Sequence, residues 1–408
     1  MLFIGYFEGI ESERGIAWRC SDSLSLRAFL GLLPQESVPD HSSLSRTRSR
    51  LAASVYDEVF QAVLRIVADK GLLRGKVAGI DSTYLRADAS MKAIVRKDTG
   101  DSYQDYLKKL SVEQGIERPT AEDCRRVDRK RKGKRTSNRD WQSKTDADAR
   151  ITKLKDGRTR LGYKAEHVVD MESGAVLAAE IPAADQGDTA TMVASLEAAR
   201  TNTEAAKSDD ADKKDGPGDD DGASGSASTS PTVEVVGDKG YHKAELLYEL
   251  KHKNYRTYVS VPKPPKNLHW RDKGGHYTAR SYYANRDRAA SEKGRRLLRL
   301  RGEKIERTFA HACETGGHRR VRLRGQENVR KRYLIQVAAM NLGLVMFGLI
   351  GSGTPRQAAD AQKARSALFV TLFAAIQAVL TIARSFRSAF GAVAELPSRP
   401  DYPCAAAA

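Results

Sequence analysis

Cysteine is scarce in this chain and never paired in sequence. Cys20, Cys124, Cys313 and Cys404 lie far apart and form no CxxC, which argues against a disulfide scaffold or a cysteine-held zinc and fits a reducing cytoplasm. The N-terminal "MLFIGYFEGIESERG" has neither a basic leader nor a small-residue cleavage site, so a signal peptide is not expected. Long apolar runs are almost lacking too. "ALFVTLFAAIQAVLTIA" (367–383) is the only membrane-like stretch, and its seventeen residues, broken by Thr371, Gln377 and Thr381, predict a packed or partner-binding helix and no membrane span.

Acidic residues are also in deficit. There are 69 Lys and Arg against 52 Asp and Glu among 408 residues, a formal charge of +17 and a pI of about 9.6. Such an excess points to a polyanionic partner, nucleic acid being the commonest. The length suffices for two or three domains.

Residues 1 to 75 read as helices, "SLSLRAFLGLL" and "YDEVFQAVLRIVADKGLL" carrying apolar residues at three- and four-residue spacing. Between them Asp40 or Ser42 can cap a short helix bearing Arg46, Arg48 and Arg50. That helix could enter a DNA groove as the second part of a helix-turn-helix, or be an ordinary basic surface helix. Residues 76 to 350 read as a strand at Val77–Ile80, two strands joined at "MESG", a helix after Asp188 or Thr189, and then strand, helix and strand. This is a mixed sheet flanked by helices, the α/β class. A long apolar helix is predicted from about Asn328 to Ile350.

Two insertions interrupt this region. "TNTEAAKSDDADKKDGPGDDDGASGSASTSP" (201–231) contains almost nothing that can be buried and reads as disordered. Residues 262 to 296 are basic, with Trp270, Tyr277, Tyr282 and Tyr283 among the cations, suited either to nucleic-acid contact or to loop packing. Residues 351 to 408 are expected to be a tail with one apolar helix.

Three acids stand out by context. Asp81 follows "VAGI" and Asp238 follows "VEVVG", so neighbouring strands could bring both carboxylates to one sheet edge; Glu306 in "EKIERTF" could be turned there by a helix. Gathered carboxylates repel one another, and a hard cation such as Mg²⁺ or Mn²⁺ removes that conflict. Two such ions can serve phosphodiester displacement, activating the attacking oxygen and stabilising the leaving one. Taken singly, an Asp at a strand end is more often a cap or turn residue.

"GIDSTYLRADASMKAIVRKDTG", "YKAEHVVDMESGAVLAAEIPAADQGDT", "VVGDKGYHKAELL" and "ERTFAHACETGGHRRVRLRGQENVRKRYLIQVAAMNLGLVM" look like successive blocks of the bacterial insertion-sequence DDE transposases. The resemblance runs in order from near residue 1 to about 355. It implies an RNase H-like core of the retroviral integrase superfamily, with Asp81, Asp238 and Glu306 as the catalytic, metal-binding triad for two Mg²⁺ or Mn²⁺ ions. It further implies double-stranded DNA with terminal inverted repeats as partner, a homo-oligomer assembled on that DNA, and a place in the bacterial cytoplasm at the nucleoid. Lys239, Tyr241, His242, Arg307 and His311 are candidates for DNA contact, beside Arg46 and Arg48.

The chain departs from the family pattern at Cys313, where a lysine or arginine is usual, and at Gly302, in the place of an arginine. Arg299, Arg301 or Arg319 is expected to substitute. The match opens abruptly at Met1, which suggests a reading frame that starts upstream and a shortened N-terminal region. The expected activity is metal-dependent cleavage and strand transfer at insertion-sequence ends. The alternatives are a decayed or repurposed transposase that only binds DNA, and a nuclease that cuts without joining.

Overall fold

The computed structural model describes residues 1–131, 137–154, 156–211, 232–262, 275–355 and 357–363. Four short helices open the chain: α1 (Leu2–Phe7), α2 (Glu13–Asp22), α3 (Leu24–Phe29) and α4 (His41–Arg50). Ser12, Ser23 and Asp40 cap the last three by accepting the backbone N–H of Gly15, Leu26 and Ser43. Ile4, Ile16 and Cys20 form a small core of their own, with Leu26, Leu30 and Leu44 around it.

Helix α5 (Ala53–Asp69) carries Tyr56, Phe60, Val63, Leu64 and Val67 on one buried stripe. These side chains join the main core and not the small one. Packing is therefore continuous across the boundary expected at residue 75.

Strand β1 (Val77–Arg86) comes next, followed by a small hairpin sheet of β2 (Ile94–Arg96) and β3 (Trp141–Ser143) that encloses α6 (Tyr103–Glu113) and α7 (Ala121–Lys130) in sequence. Then follow β4 (Arg150–Lys153), β5 (Thr159–Asp170), β6 (Val176–Glu180), α8 (Asp188–Ala211), β7 (Val233–Gly237), α9 (Ala244–His252) and β8 (Tyr255–Val259). Three long helices close the described chain: α10 (Gly275–Ala290), α11 (Glu292–Glu314) and α12 (Gln326–Ile350).

The main sheet has the order β4-β5-β1-β7-β8, with β6 pairing the other half of β5. β5 is antiparallel to β1, β4 and β6, while β7 and β8 run parallel to β1. Consecutive side chains of a strand point to opposite faces. Glu166 of β5 meets Thr191 and Ser195 of α8, and His167 meets Thr308 of α11, so these two helices cover opposite faces of the sheet.

A buried asparagine pairs with one edge residue of β6 and another with one of β8. Asn341 of α12 exchanges two hydrogen bonds with the backbone of Val176 on β6, and Asn285 of α10 does the same with Val259 on β8. Each asparagine occupies backbone groups that an open edge would offer to another chain. Arg330 of α12 ties the layers together, donating to Asp57 of α5 at 2.8 and 3.1 Å and to Glu180 of β6 at 3.1 Å.

The α/β class and the "MESG" hairpin are as expected, but four local expectations are corrected. β1 does not stop at Ile80, because its pairing with β5 runs on from Ala78–Asp170 to Arg86–Gly162. The insertion expected from residue 201 starts later: α8 continues to Ala211, with Ala206 buried and Asn202 bonded to Gln61 and to the Leu177 carbonyl. Only residues 212–231 of it fall outside the described part. Residues 275–296 are helical rather than loop, and Tyr282 is buried there; Trp270 lies outside the described residues.

Finally, α12, which the sequence reading did not count as membrane-like, is the one described helix long and apolar enough to cross a bilayer; the 367–383 stretch lies outside the described residues. The side chains of α12 from Val329 to Val345 are largely buried against the rest of the fold, as in the core helix of a globular protein.

Candidate active site

Parallel strands β1 and β7 pair Val77 with Glu234, Ala78 with Val235 and Gly79 with Val236. Carried two residues further, this register sets Asp81 beside Asp238. β7 ends at Gly237, whereas β1 runs on to Arg86. Asp81 thus stands, half-buried, at the point where β1 loses its parallel neighbour and one strand edge opens.

The Asp81 carboxylate accepts the Ser82 N–H at 2.8 Å through Oδ1 and the Arg301 guanidinium of α11 through Oδ2. Burial pushes its pKa up, Arg301 and the Ser82 N–H pull it down, and the neighbouring Asp238 pushes it up again. Asp238 caps a 3₁₀ turn over Lys239–Tyr241, its Oδ1 accepting the Gly240 N–H at 2.7 Å. A Cβ on Gly240 would come within 2.6 Å of Asp188 Oδ2 and 2.9 Å of Asp238 Oδ1, so a larger residue here would push these carboxylates aside.

Asp188, at the start of α8, accepts Lys164 Nζ at 2.7 Å and the Ser82 hydroxyl at 2.9 Å. Lys164 also lies 3.5 Å from the fully buried Glu166, which accepts hydrogen bonds from Thr191, Ser195 and Tyr241. This buried network anchors the turn after Asp238 to β5 and α8. Sequence reading passed over Ser82, Lys164, Glu166 and Asp188 as site residues. A lysine and a glutamate inside the otherwise apolar "LGYKAEHVV" were the available signal, because charges in a strand buried on both faces need partners.

Helix α11 reaches the site across β1. A Cβ on Gly79 would lie 2.4 Å from Met171 Sδ and 2.8 Å from Ile305 Cδ1, so the glycine permits the close approach. His167, opposite Asp81 in the β1–β5 register, fixes the helix further: Nδ1 meets Thr308 Oγ1 at 2.9 Å, Nε2 meets the Tyr333 hydroxyl at 2.8 Å, and the ring stacks on Phe309. Burial lowers the His167 pKa to about 3. Ile305, Thr308, Phe309 and Ala312 make the packed face. Glu306 is exposed, turned about 100° from Ile305 by the helical step.

Oxygen donors on two adjacent strands suit a hard divalent cation, and such a cation would relieve the repulsion between Asp81 and Asp238. A three-carboxylate cage is not assembled: among the described residues no three His, Cys, Asp or Glu side chains are grouped as a metal would require. The cation that meets Asp81 here is Arg301, one of the three arginines expected to stand in for the family's missing one.

The DNA-contact candidates divide. Lys239, Arg307, His311, Arg319 and Arg46 are exposed. Arg48 is not a surface group: it is buried and ion-paired with Glu13 of α2, and this contact fixes α4 in place. Tyr241 is fully buried with its hydroxyl on Glu166, an anchor rather than a DNA contact. His242 is half-buried against the Tyr282 ring at 5.1 Å; its Nε2 is buried without a hydrogen-bond partner among the described residues, and burial lowers its pKa. Cys313 is half-buried, and Gly302 lies one turn before Glu306.

A central strand with an antiparallel neighbour on one side and parallel strands on the other, helices on both faces and aspartates at the strand edge define an RNase H-like α/β protein. The family model for the transposase DDE domain matches residues 132–342, just over half of the chain, and a transposase domain (DUF772) matches residues 1–50. Comparison with curated proteins and with solved structures gave no match. The chain belongs to the transposase DDE-domain family, and its function is that of a DNA transposase. Asp238 and Glu306 lie inside the matched segment; Asp81 lies between the two matches.

Proposed function

We propose that Asp81, Asp238 and Glu306 carry a metal-dependent cleavage and strand-transfer reaction at the ends of a mobile DNA element. The reading is supported by the β1–β7 register, which pairs Gly79 with Val236 and, carried two residues on, would bring Asp81 beside Asp238, whose charge raises the Asp81 pKa. Bound to these carboxylates, Mg²⁺ or Mn²⁺ would lower the pKa of an attacking water and stabilise the leaving oxygen.

The protein's own groups do the rest. The Ser82 and Gly240 N–H groups hold the two aspartates in orientation. Arg301 neutralises Asp81; with a metal held by that carboxylate, its guanidinium would be available to a phosphate oxygen of the DNA. Glu306, exposed one helical step from the packed Ile305, is the third carboxylate in this reading. Lys239 and Arg307 lie on the exposed rim and supply counter-charge to the backbone, while His311, its pKa lowered by burial and by Arg307, offers a neutral ring N–H there. Double-stranded DNA with inverted repeats, and a second copy of the chain on the other end, complete the assembly in this reading.

The test is strand cleavage of labelled DNA carrying the gene's own flanking ends, with Mg²⁺ or Mn²⁺, by the wild-type chain and by Asp238→Asn. The expected result is EDTA-sensitive cleavage by the wild type and none by the variant, at similar DNA affinity. Equal loss of binding and cleavage in a folded variant, or nicking that survives EDTA, would refute the assignment.

A further inference from the structure

The β1 edge that opens at Asp81 is taken up again five residues later. Arg86 bridges in parallel to Arg320, and the Val321 N–H donates to the Arg86 carbonyl at 2.8 Å. Between these points no described strand covers the edge on the β7 side. At its far end lie two adjoining cavities of about 670 and 420 Å³ that share Arg86, Arg160 and Arg320. Lys92 and Arg324 add to the first and Arg319 to the second, so six cations face two carboxylates, Asp88 and Glu11.

Both carboxylates are already engaged. Asp88 is held by Arg320 at 2.9 Å and Arg324 at 3.2 Å, and Glu11 by Arg322 at 3.2 Å. No hydrogen bond or ion pair joins the Arg86 or Arg160 guanidinium to a carboxylate among the described residues, and both lie close enough to the Tyr84 phenol to lower its pKa against the rise caused by burial. Two adjacent arginines left without a counter-ion at the mouth of a basic cleft are placed to bind polyanion phosphates.

We propose that this cleft is a phosphate-tracking surface for duplex DNA flanking the reacting bond, with Arg86 and Arg160 each taking one backbone phosphate. The inference rests on the reading of Asp81 as the place of the reacting phosphate. Along the backbone, five residues of strand at about 3.3 Å each put Arg86 about 17 Å from Asp81, the rise of about five base pairs; because five is odd, the two side chains leave β1 on opposite faces, and the DNA would have to cross the uncovered β1 edge between them. The cleft grips DNA one half-turn from the site and sets its direction, while the open edge between them leaves room for the strand to pass.

The experiment uses the full chain and an Arg86→Gln/Arg160→Gln variant, measuring affinity for a labelled duplex across a salt series. Each lost phosphate contact reduces the slope of log affinity against log salt by about 0.9, so the slope should fall by about 2 in the variant. An Arg86→Lys/Arg160→Lys variant should keep most of the slope, since the charge remains, which separates phosphate contact from damaged packing. Duplexes ending less than about five base pairs beyond the cleaved bond should bind wild type and Gln variant alike, and longer ones should not. An unchanged slope in the Gln variant, an equal loss in the Lys variant, or a difference independent of duplex length would overturn the proposal. Metal-dependent cleavage without a slope change removes the cleft and leaves the site. A slope change with no cleavage by the wild type keeps the surface and removes the site.

Discussion

Replacing Asp238 by Asn should separate what the carboxylate does for the reaction from what it costs the fold. Neighbouring strands are about 4.8 Å apart, so register-matched carboxylates lie roughly 5 to 6 Å from each other. Between the dielectric of a protein surface and that of bulk water, the repulsion at that distance is about 1 to 3 kcal/mol. Asparagine keeps the oxygen that accepts the Gly240 N–H, so the turn stays capped. Removing the charge also removes one of the influences that raise the Asp81 pKa.

The sign follows from linkage. A carboxyl whose pKa is raised by folding costs stability at pH values above its folded pKa, and the cost vanishes below the unfolded value of about 3.9, where both states are protonated. In EDTA near neutral pH the variant should therefore be as stable as the wild type, or more stable by about 1 kcal/mol, a rise of about 2 °C in melting temperature. With Mn²⁺ the order should reverse. At a hundredfold excess over its dissociation constant the ion would stabilise the wild type by about 2.7 kcal/mol and leave the variant nearly unmoved. Calorimetry with and without Mn²⁺ reads both arms. A variant that is less stable in EDTA yet keeps the full metal-dependent rise would show that Asp238 is a structural cap and no metal ligand.

Three further outcomes are expected. His167 and His318 are buried with pKa values lowered to about 3 and 4; the unfolded chain takes up protons below about 6.5 that the fold refuses, so each should cost about 2 kcal/mol by pH 5. Acid titration followed by circular dichroism should show loss of structure beginning in that range, and a stability flat from pH 7 to 5 would contradict it. Gly79→Ala should destabilise by about 1 to 3 kcal/mol, because the added methyl meets Met171 and Ile305, and it should lower cleavage by shifting α11; urea unfolding beside the cleavage assay checks both. Arg301→Gln removes the guanidinium that competes for Asp81, so Mn²⁺ should bind up to about tenfold more tightly by electron paramagnetic resonance, while cleavage falls; weaker Mn²⁺ binding would refute the competition.

Much of this protein is legible in its sequence because the signals are local. The apolar stripe of α5, the cap at Asp40, the "MESG" hairpin and the strands ahead of Asp81 and Asp238 need only nearest-neighbour chemistry to be read. Burial was not legible where a polar side chain finds its partner far along the chain. Arg48 is matched by Glu13 and Tyr241 by Glu166, so two residues that read as surface cations or contacts are interior props. The end of α8 was hidden for the same reason, since Asn202 is held by Gln61 and by the Leu177 carbonyl.

The amino-acid order alone thus determined the class of fold, the basic character that calls for a polyanion, and the two aspartates that follow apolar strands. Periodicity, turn chemistry and net charge are properties of short stretches or of the whole composition, and they survive without a fold. Tertiary structure decided which carboxylates stand together, that Arg301 occupies Asp81, and that Arg86 and Arg160 share one cleft. Those facts depend on strand register and on helices crossing a sheet, where a partner's distance is set by packing and not by separation along the chain.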